Sequence, residues 1–257
     1  MIVVSYGGGT NSTAMLIGMV ERGETCDLIL FADTGGERPD TYSFVSDFSR
    51  YLVKHGMPEI ITVKRTNRAG EVRTLEQDCL DGKMLPSIAY GFKACSLKYK
   101  RDPQDKYCNN WQPAKDFWKS GQKVTKLIGY DMDEPHRAKI PEDDKYLYRY
   151  PLIEWNWGRE ECVDAIKRAG LRPAGKSACF YCPSSKRGEI LALKRDYPDL
   201  AARAVAMENN AELHTVKGLG RDFAWRDLLA WNEAQIDMFP YESRIEIDCG
   251  CYDEAQV

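Results

Sequence analysis

The chain has 257 residues, of which 43% are hydrophobic and 29% charged, a balance that supports a buried core and excludes a disordered chain. Its formal net charge of −3 excludes a general attraction to nucleic acid or anionic membranes, while a local basic patch remains open. No apolar run reaches bilayer length, and MIVVSYGGG has no basic region before its short apolar run, so a cytoplasmic protein without membrane contact is expected.

Residues 2–5 (IVVS) predict a strand, and 11–22 (NSTAMLIGMVER) a helix ending at Gly23. The continuous apolar run 27–32 (DLILFA) predicts a second strand. The segment 39–55 opens with Pro and Asp and carries Tyr42, Phe44, Val45, Phe48, Leu52 and Val53 at helical spacing, with Gly56 closing it. A third strand is expected over 59–64 (EIITVK). Apolar strands alternating with helices predict a doubly wound α/β fold, a mainly parallel sheet with helices on both faces.

Further along, 103–119 predicts two helical pieces broken at Pro113, and 124–130 (VTKLIGY) a fourth strand. The charged, Pro-punctuated segment 131–146 reads as a loop. A helix is expected over 158–169, then a loop around CFYC, a long helical pattern interrupted near Pro198, and a last helix near 222–236. This order divides the chain into an α/β nucleotide-type domain, 1–150, and a mostly helical, cysteine-bearing region, 151–257, packed on it.

Between the first strand and helix stands SYGGGTNST. Gly7, Gly8 and Gly9 let the backbone turn sharply and bring N–H groups close to an anion. Asn11, Ser12 and Thr13 open a helix whose N-terminus favours negative charge. A tight turn with a polar N-cap accounts for the loop equally well. The second strand ends in Asp33-Thr34-Gly35-Gly36, a second polar turn on the same carboxyl edge, where ligands bind in such sheets. There Asp33 would accept from a ribose hydroxyl or orient a cation, or else simply form the turn.

Nine cysteines without a secretion signal argue against a disulfide framework. Cys26 and Cys162 sit in apolar patterns and read as core residues, and Cys79 and Cys108 need no special role. Cys179 and Cys182 form a CxxC pair, suited to a shared metal or cluster edge or to dithiol redox chemistry. Cys95 would be a third ligand, with Cys249 or Cys251 in EIDCGCYDE the fourth.

SYGGGTNST followed by FADTGGERPDTY resembles the PP-loop superfamily of adenine-nucleotide enzymes, in particular its phosphoadenosine phosphosulfate (PAPS) reductase-like branch. KACSLKYKRDPQDKY (93–107), LIGYDMDEPHRA (127–138), YPLIEW and the CxxCP segment follow in the family's order, so the resemblance spans roughly residues 2–210. It implies a bound adenine nucleotide (ATP, adenosine phosphosulfate or PAPS), with Ser5 and the loop residues as ligands and Lys98 and Arg137 contacting its anionic part. Lys100, Arg101 and Lys139 are further candidates. It also implies a [4Fe–4S] cluster, with zinc as the other metal suited to thiolates, at Cys95, Cys179, Cys182 and Cys251, and a nucleophilic Cys249. Those roles compete, since a cysteine ligand is not a free nucleophile.

The chain departs from the pattern where Thr10 replaces the usual loop lysine and Asn11 the usual aspartate, which puts ATP cleavage in question. The resemblance therefore implies a reductase of PAPS or adenosine phosphosulfate working with a thiol reductant. The other implied activity is ATP-dependent sulfur transfer to a nucleic acid or base. A module that binds nucleotide or metal without catalysis is the third reading, and self-association is left open.

Overall fold

The β-branched run IVVSY forms strand β1 (Ile2–Tyr6), which turns through the three glycines into helix α1 (Thr10–Glu21). The computed structural model describes residues 1–141 and 143–238. Strand β2 (Leu28–Asp33) is buried along its whole length, as a central strand covered on both faces must be. Helix α2 (Pro39–Lys54) starts on Pro39, whose missing N–H costs nothing in a first turn. It buries Phe44, Val45, Phe48 and Leu52 along one stripe. Strand β3 (Ile60–Lys64) completes this half.

Helix α3 (Leu75–Asp81) and a 3₁₀ turn at Ser87–Tyr90 follow. The short α4 (Ala94–Ser96) runs through a π-helical turn, Leu97–Arg101, into α5 (Asp102–Asn110). Helix α6 (Gln112–Lys119) leads to β4 (Val124–Ile128) and β5 (Tyr146–Arg149). The remainder is helical: α7 (Pro151–Glu154), α8 (Arg159–Arg168), α9 (Arg187–Asp196), α10 (Pro198–Asn210) and α11 (Trp225–Met238).

All strand pairs are parallel and the sheet order is β3-β2-β1-β4-β5. The doubly wound α/β expectation is met. Strand residues alternate between two cores. Val4, Ile29, Phe31 and Leu127 pack on one face with α1, α2 and α8. On the other, Val3, Leu28, Leu30 and Val124 meet Cys108 and Ala114 from α5 and α6. A third core joins α3 to α9, α10 and α11 through Leu75, Leu193, Met207 and Trp225. Cys26 and Cys162 are buried in the first core, as their apolar surroundings predict. Among the described residues no helix is long and apolar enough to cross a membrane.

The structure adds β5, α3 and the short helices α4 and α7 to the expected set. It also moves the break in 103–119 from Pro113 back to Trp111. Pro113 lies in the first turn of α6, where a proline starts a helix and does not interrupt one.

Candidate anion-binding site

The strand order reverses between β1 and β4, and their carboxyl ends open onto a cavity of about 860 Å³. Its floor is the glycine loop. Gly8 has φ of +75° and a Cβ there would lie 3.0 Å from the Phe31 ring, so both backbone and space call for glycine. Gly7 N–H donates to Ser12 Oγ at 3.1 Å, which folds the loop onto the start of α1. Gly9 caps α1 without a side-chain acceptor, and the first turn holds no acid. The leading N–H groups of the helix are therefore free to meet an anion. Gly129, just after β4, lets the far wall close in: a Cβ there would stand 2.8 Å from Ser12 Cα.

A second loop lies against the first. Ser177 Oγ donates to Gly7 O at 2.5 Å, across 170 residues of sequence, and also lies 3.5 Å from Glu37 Oε2. Gly175, with φ of +66°, turns this loop so that Lys176 and Ser177 both line the cavity. The neighbouring turn is pinned to the end of β2, where Phe180 N–H donates to Gly36 O at 2.7 Å.

Among the described residues six basic side chains line the cavity (Lys100, Arg101, Lys126, Arg137, Arg159 and Lys176) against one carboxylate, Glu189. Lys100 reaches the fully buried Glu37 at 3.4 Å. Burial works against its ammonium, but the Glu37 carboxylate outweighs that and raises its pKa. Lys176 pairs with Glu189 at 2.7 Å and Lys126 with Asp105 at 2.5 Å. Arg137 pairs with Glu134 at 2.6 Å and lies 4.3 Å over the Tyr130 ring. Tyr130 in turn stacks on Tyr150, ring centroids 5.8 Å apart. The cavity thus brings together cations and the Tyr130 ring, a combination that can hold a polyanion with a planar group attached.

Of the residues singled out from sequence, Ser5, Gly7, Gly9, Asn11, Ser12 and Arg137 line this cavity. Gly8 is buried within the loop, and Thr13 is buried in α1, hydrogen-bonded to Tyr6 at 3.1 Å. Asp33 stands apart from the lining. It accepts from Gly35 N–H and Tyr42 O–H, both at 2.7 Å, and pairs with Lys64 at 3.2 Å, the turn-forming role. Thr34 is likewise buried, its hydroxyl 3.0 Å from Cys179 Sγ. Lys98 also points elsewhere, to Asp78 at 3.1 Å. It is Lys100, two residues further round the same turn, that enters the cavity.

Lys176, Ser177, Arg159, Lys126 and Glu37 went unrecognised. The available signal was Gly175-Lys176-Ser177 just before the CxxC pair, a phosphate-loop ending detached from any strand.

The cysteines sit beside the cavity. Cys182 N–H donates to Cys179 O at 2.9 Å, closing a tight turn, and Cys95 N–H is held by Ser87 Oγ at 2.8 Å. Burial, with Glu37 nearby, pushes the Cys179 thiol up to about 12, so it is protonated at neutral pH. Cys79 is pushed up to about 12 by burial and by Asp78. Among the described residues no three His, Cys, Asp or Glu side chains converge as a metal requires. Cys249 and Cys251 lie outside the described residues. As placed, Cys95, Cys179 and Cys182 do not form a closed donor set. Neither protein-family models nor curated proteins gave a match to the chain.

Proposed function

We propose that the chain is an adenine-nucleotide enzyme of sulfur metabolism, PAPS reductase-like, that holds its ligand in the cavity between β1 and β4. One observation carries the reading. Among the described residues, six cations and a glycine loop surround one cavity at the point where strand order reverses. The phosphates would lie on the glycine loop and the first turn of α1, with the base toward Tyr130. The cysteine turn at Cys179 and Cys182 lies near Lys100, one of the cations that line this space.

On the reductase reading, the Cys249 thiolate attacks the sulfonate sulfur of the bound nucleotide. A sulfur–sulfur bond forms and the bond from sulfur to phosphate oxygen breaks, leaving the nucleotide phosphate. A thiol reductant then attacks Cys249 Sγ, forming a disulfide and releasing sulfite. A second thiol of the reductant restores the Cys249 thiol and carries away the disulfide. A cluster or zinc bound by Cys95, Cys179, Cys182 and Cys251 belongs to the same proposal, but the donor set gives no basis for a step through it. Metal and sulfide analysis of anaerobically purified protein decides that part.

The second reading, ATP-dependent sulfur transfer to a nucleic acid or base, gains support from the cations. Lys100 and Lys176 bring positive charge to a cradle that carries Thr10 in place of lysine. Calorimetric titration with ATP, AMP, adenosine phosphosulfate and PAPS tests the shared core of both readings, and binding of none of the four rejects it. Sulfite production that survives Cys249→Ser removes the nucleophile assignment. Pyrophosphate release from ATP in the presence of an acceptor selects sulfur transfer.

A further inference from the structure

Arg159 differs from the other cations of the cavity. Lys100, Arg101, Lys126, Arg137 and Lys176 each lie within ion-pair distance of a carboxylate. The Arg159 guanidinium has no carboxylate partner among the described residues. Its Nη1 donates to the neutral amide oxygen of Asn11 at 3.0 Å. Asn11 is held in turn, because its Nδ2 donates to Asp131 Oδ2 at 2.6 Å. A carboxylate is the natural acceptor for an amide N–H, so Asp131 fixes which way the Asn11 amide faces and presents its oxygen to Arg159. Asp131 is itself buried, with 3% exposure, and its second oxygen has no hydrogen-bond partner among the described residues.

Arg159 is the first residue of α8, and its own N–H is held by Asp133 Oδ2 at 2.8 Å. Helix α8 shares the first core with α1. The guanidinium is therefore set beside the opening turn of α1 by packed helices and two hydrogen bonds. We propose that Arg159 supplies the phosphate-binding cation that position 10 lacks, and that Asn11 is the residue that keeps its charge available. The inference deepens the nucleotide reading and rests on it for the identity of the ligand.

The physics turns on Asn11 being neutral. An amide oxygen can position a guanidinium while using one of its five N–H donors, leaving the rest and the full charge for an anion. An aspartate at position 11 would pair with Arg159 and cancel that charge, and would also stand against Asp131. Thr10 and Asn11 then belong together. The loop carries no cation of its own, and residue 11 is the neutral holder of a cation brought from α8.

The experiment is calorimetric titration of the full chain with inorganic pyrophosphate, and in parallel with adenosine and ATP. Arg159→Gln is expected to weaken pyrophosphate and ATP binding about tenfold or more, with adenosine affinity unchanged. Arg159→Lys should recover much of the loss. Asn11→Asp, which leaves every cation in place, should weaken pyrophosphate binding to a similar degree. Unchanged thermal midpoints establish that the variants are folded.

Arg159→Gln binding pyrophosphate within about twofold of wild type overturns the proposal, as does Asn11→Asp binding it as well as or better than wild type. Wild-type protein that binds no pyrophosphate overturns it too. Pyrophosphate binding without any nucleotide binding instead rejects the nucleotide reading and leaves the Arg159 assignment standing.

Discussion

Lys98 and Lys100 lie two residues apart in one helical turn, and their side chains leave it in different directions, one to Asp78 and the other to Glu37. In a helix, positions two apart point to nearly opposite sides, so only one of the pair can face a given cavity. Their sequence neighbourhood, KACSLKYKRD, names a cationic segment but does not fix its helical phase, because the π-helical turn there shifts the usual register. Lys100→Gln should therefore weaken ATP binding about tenfold, while Lys98→Gln leaves it within about twofold, both read by calorimetry. Equal losses from the two variants would mean that the cavity is not where the anion binds. Cys179 allows a second check. With its thiol pushed up to about 12, chiefly by burial, it should resist iodoacetamide at pH 7.5 in the folded protein and react after denaturation, as read by peptide mass spectrometry.

Helix α3 anchors the π-helical turn that carries Lys100 into the cavity. It opens with a capping box, Thr74 to Gln77, and presents Asp78 to Arg65, Arg73, Lys98 and the Tyr99 hydroxyl. Burial opposes the Asp78 charge, but hydrogen bonds from Tyr99, Lys98 and Arg73 prevail and hold its carboxyl down at about 2, against an ordinary value of 3.8. A carboxyl depressed by folding adds stability above its unfolded value and loses it as pH falls through the folded one. The contribution should thus be whole above about pH 4 and gone near pH 2, worth about 2 kcal/mol. Asp78→Asn should lower stability by about that amount at pH 7, and the gap to wild type in urea melts should close toward pH 2. A gap that does not change with pH would assign the loss to packing.

The same scale shows where sequence patterning works and where it stops. Strands β1 to β4, α1, α2 and the late helices were legible because apolar periodicity and glycine stops agree there. Strand β5 was not, since Tyr146–Arg149 is a four-residue edge strand without clear alternation, emerging from a charged loop. The glycine loop could be recognised from local spacing alone. Its partner loop could not, because the meeting of Ser177 with Gly7 is a product of tertiary packing.

At the scale of the whole molecule, charge is distributed unevenly. Among the described residues the cavity lining carries a formal +5, while the whole sequence has a net charge of −3. Such an arrangement concentrates field lines in the cleft and hastens the arrival of small anions, an effect that salt removes over a Debye length of about 10 Å at 0.1 M. The association rate of ATP, followed by stopped flow, should fall several-fold between about 20 and 300 mM salt, while adenosine shows little change. A flat ATP profile would show that the cleft charge plays no part in capture. The confinement of those cations to one cleft has a further effect on size. A nucleotide fits wholly within a cavity of about 860 Å³, whereas a duplex laid across its mouth would leave most of its phosphates beyond reach of the cations. On the sulfur-transfer reading, a nucleic-acid acceptor would be restricted to what can be threaded in, a single-stranded end or a base turned out of its stack, and length would become a criterion of selection alongside chemistry.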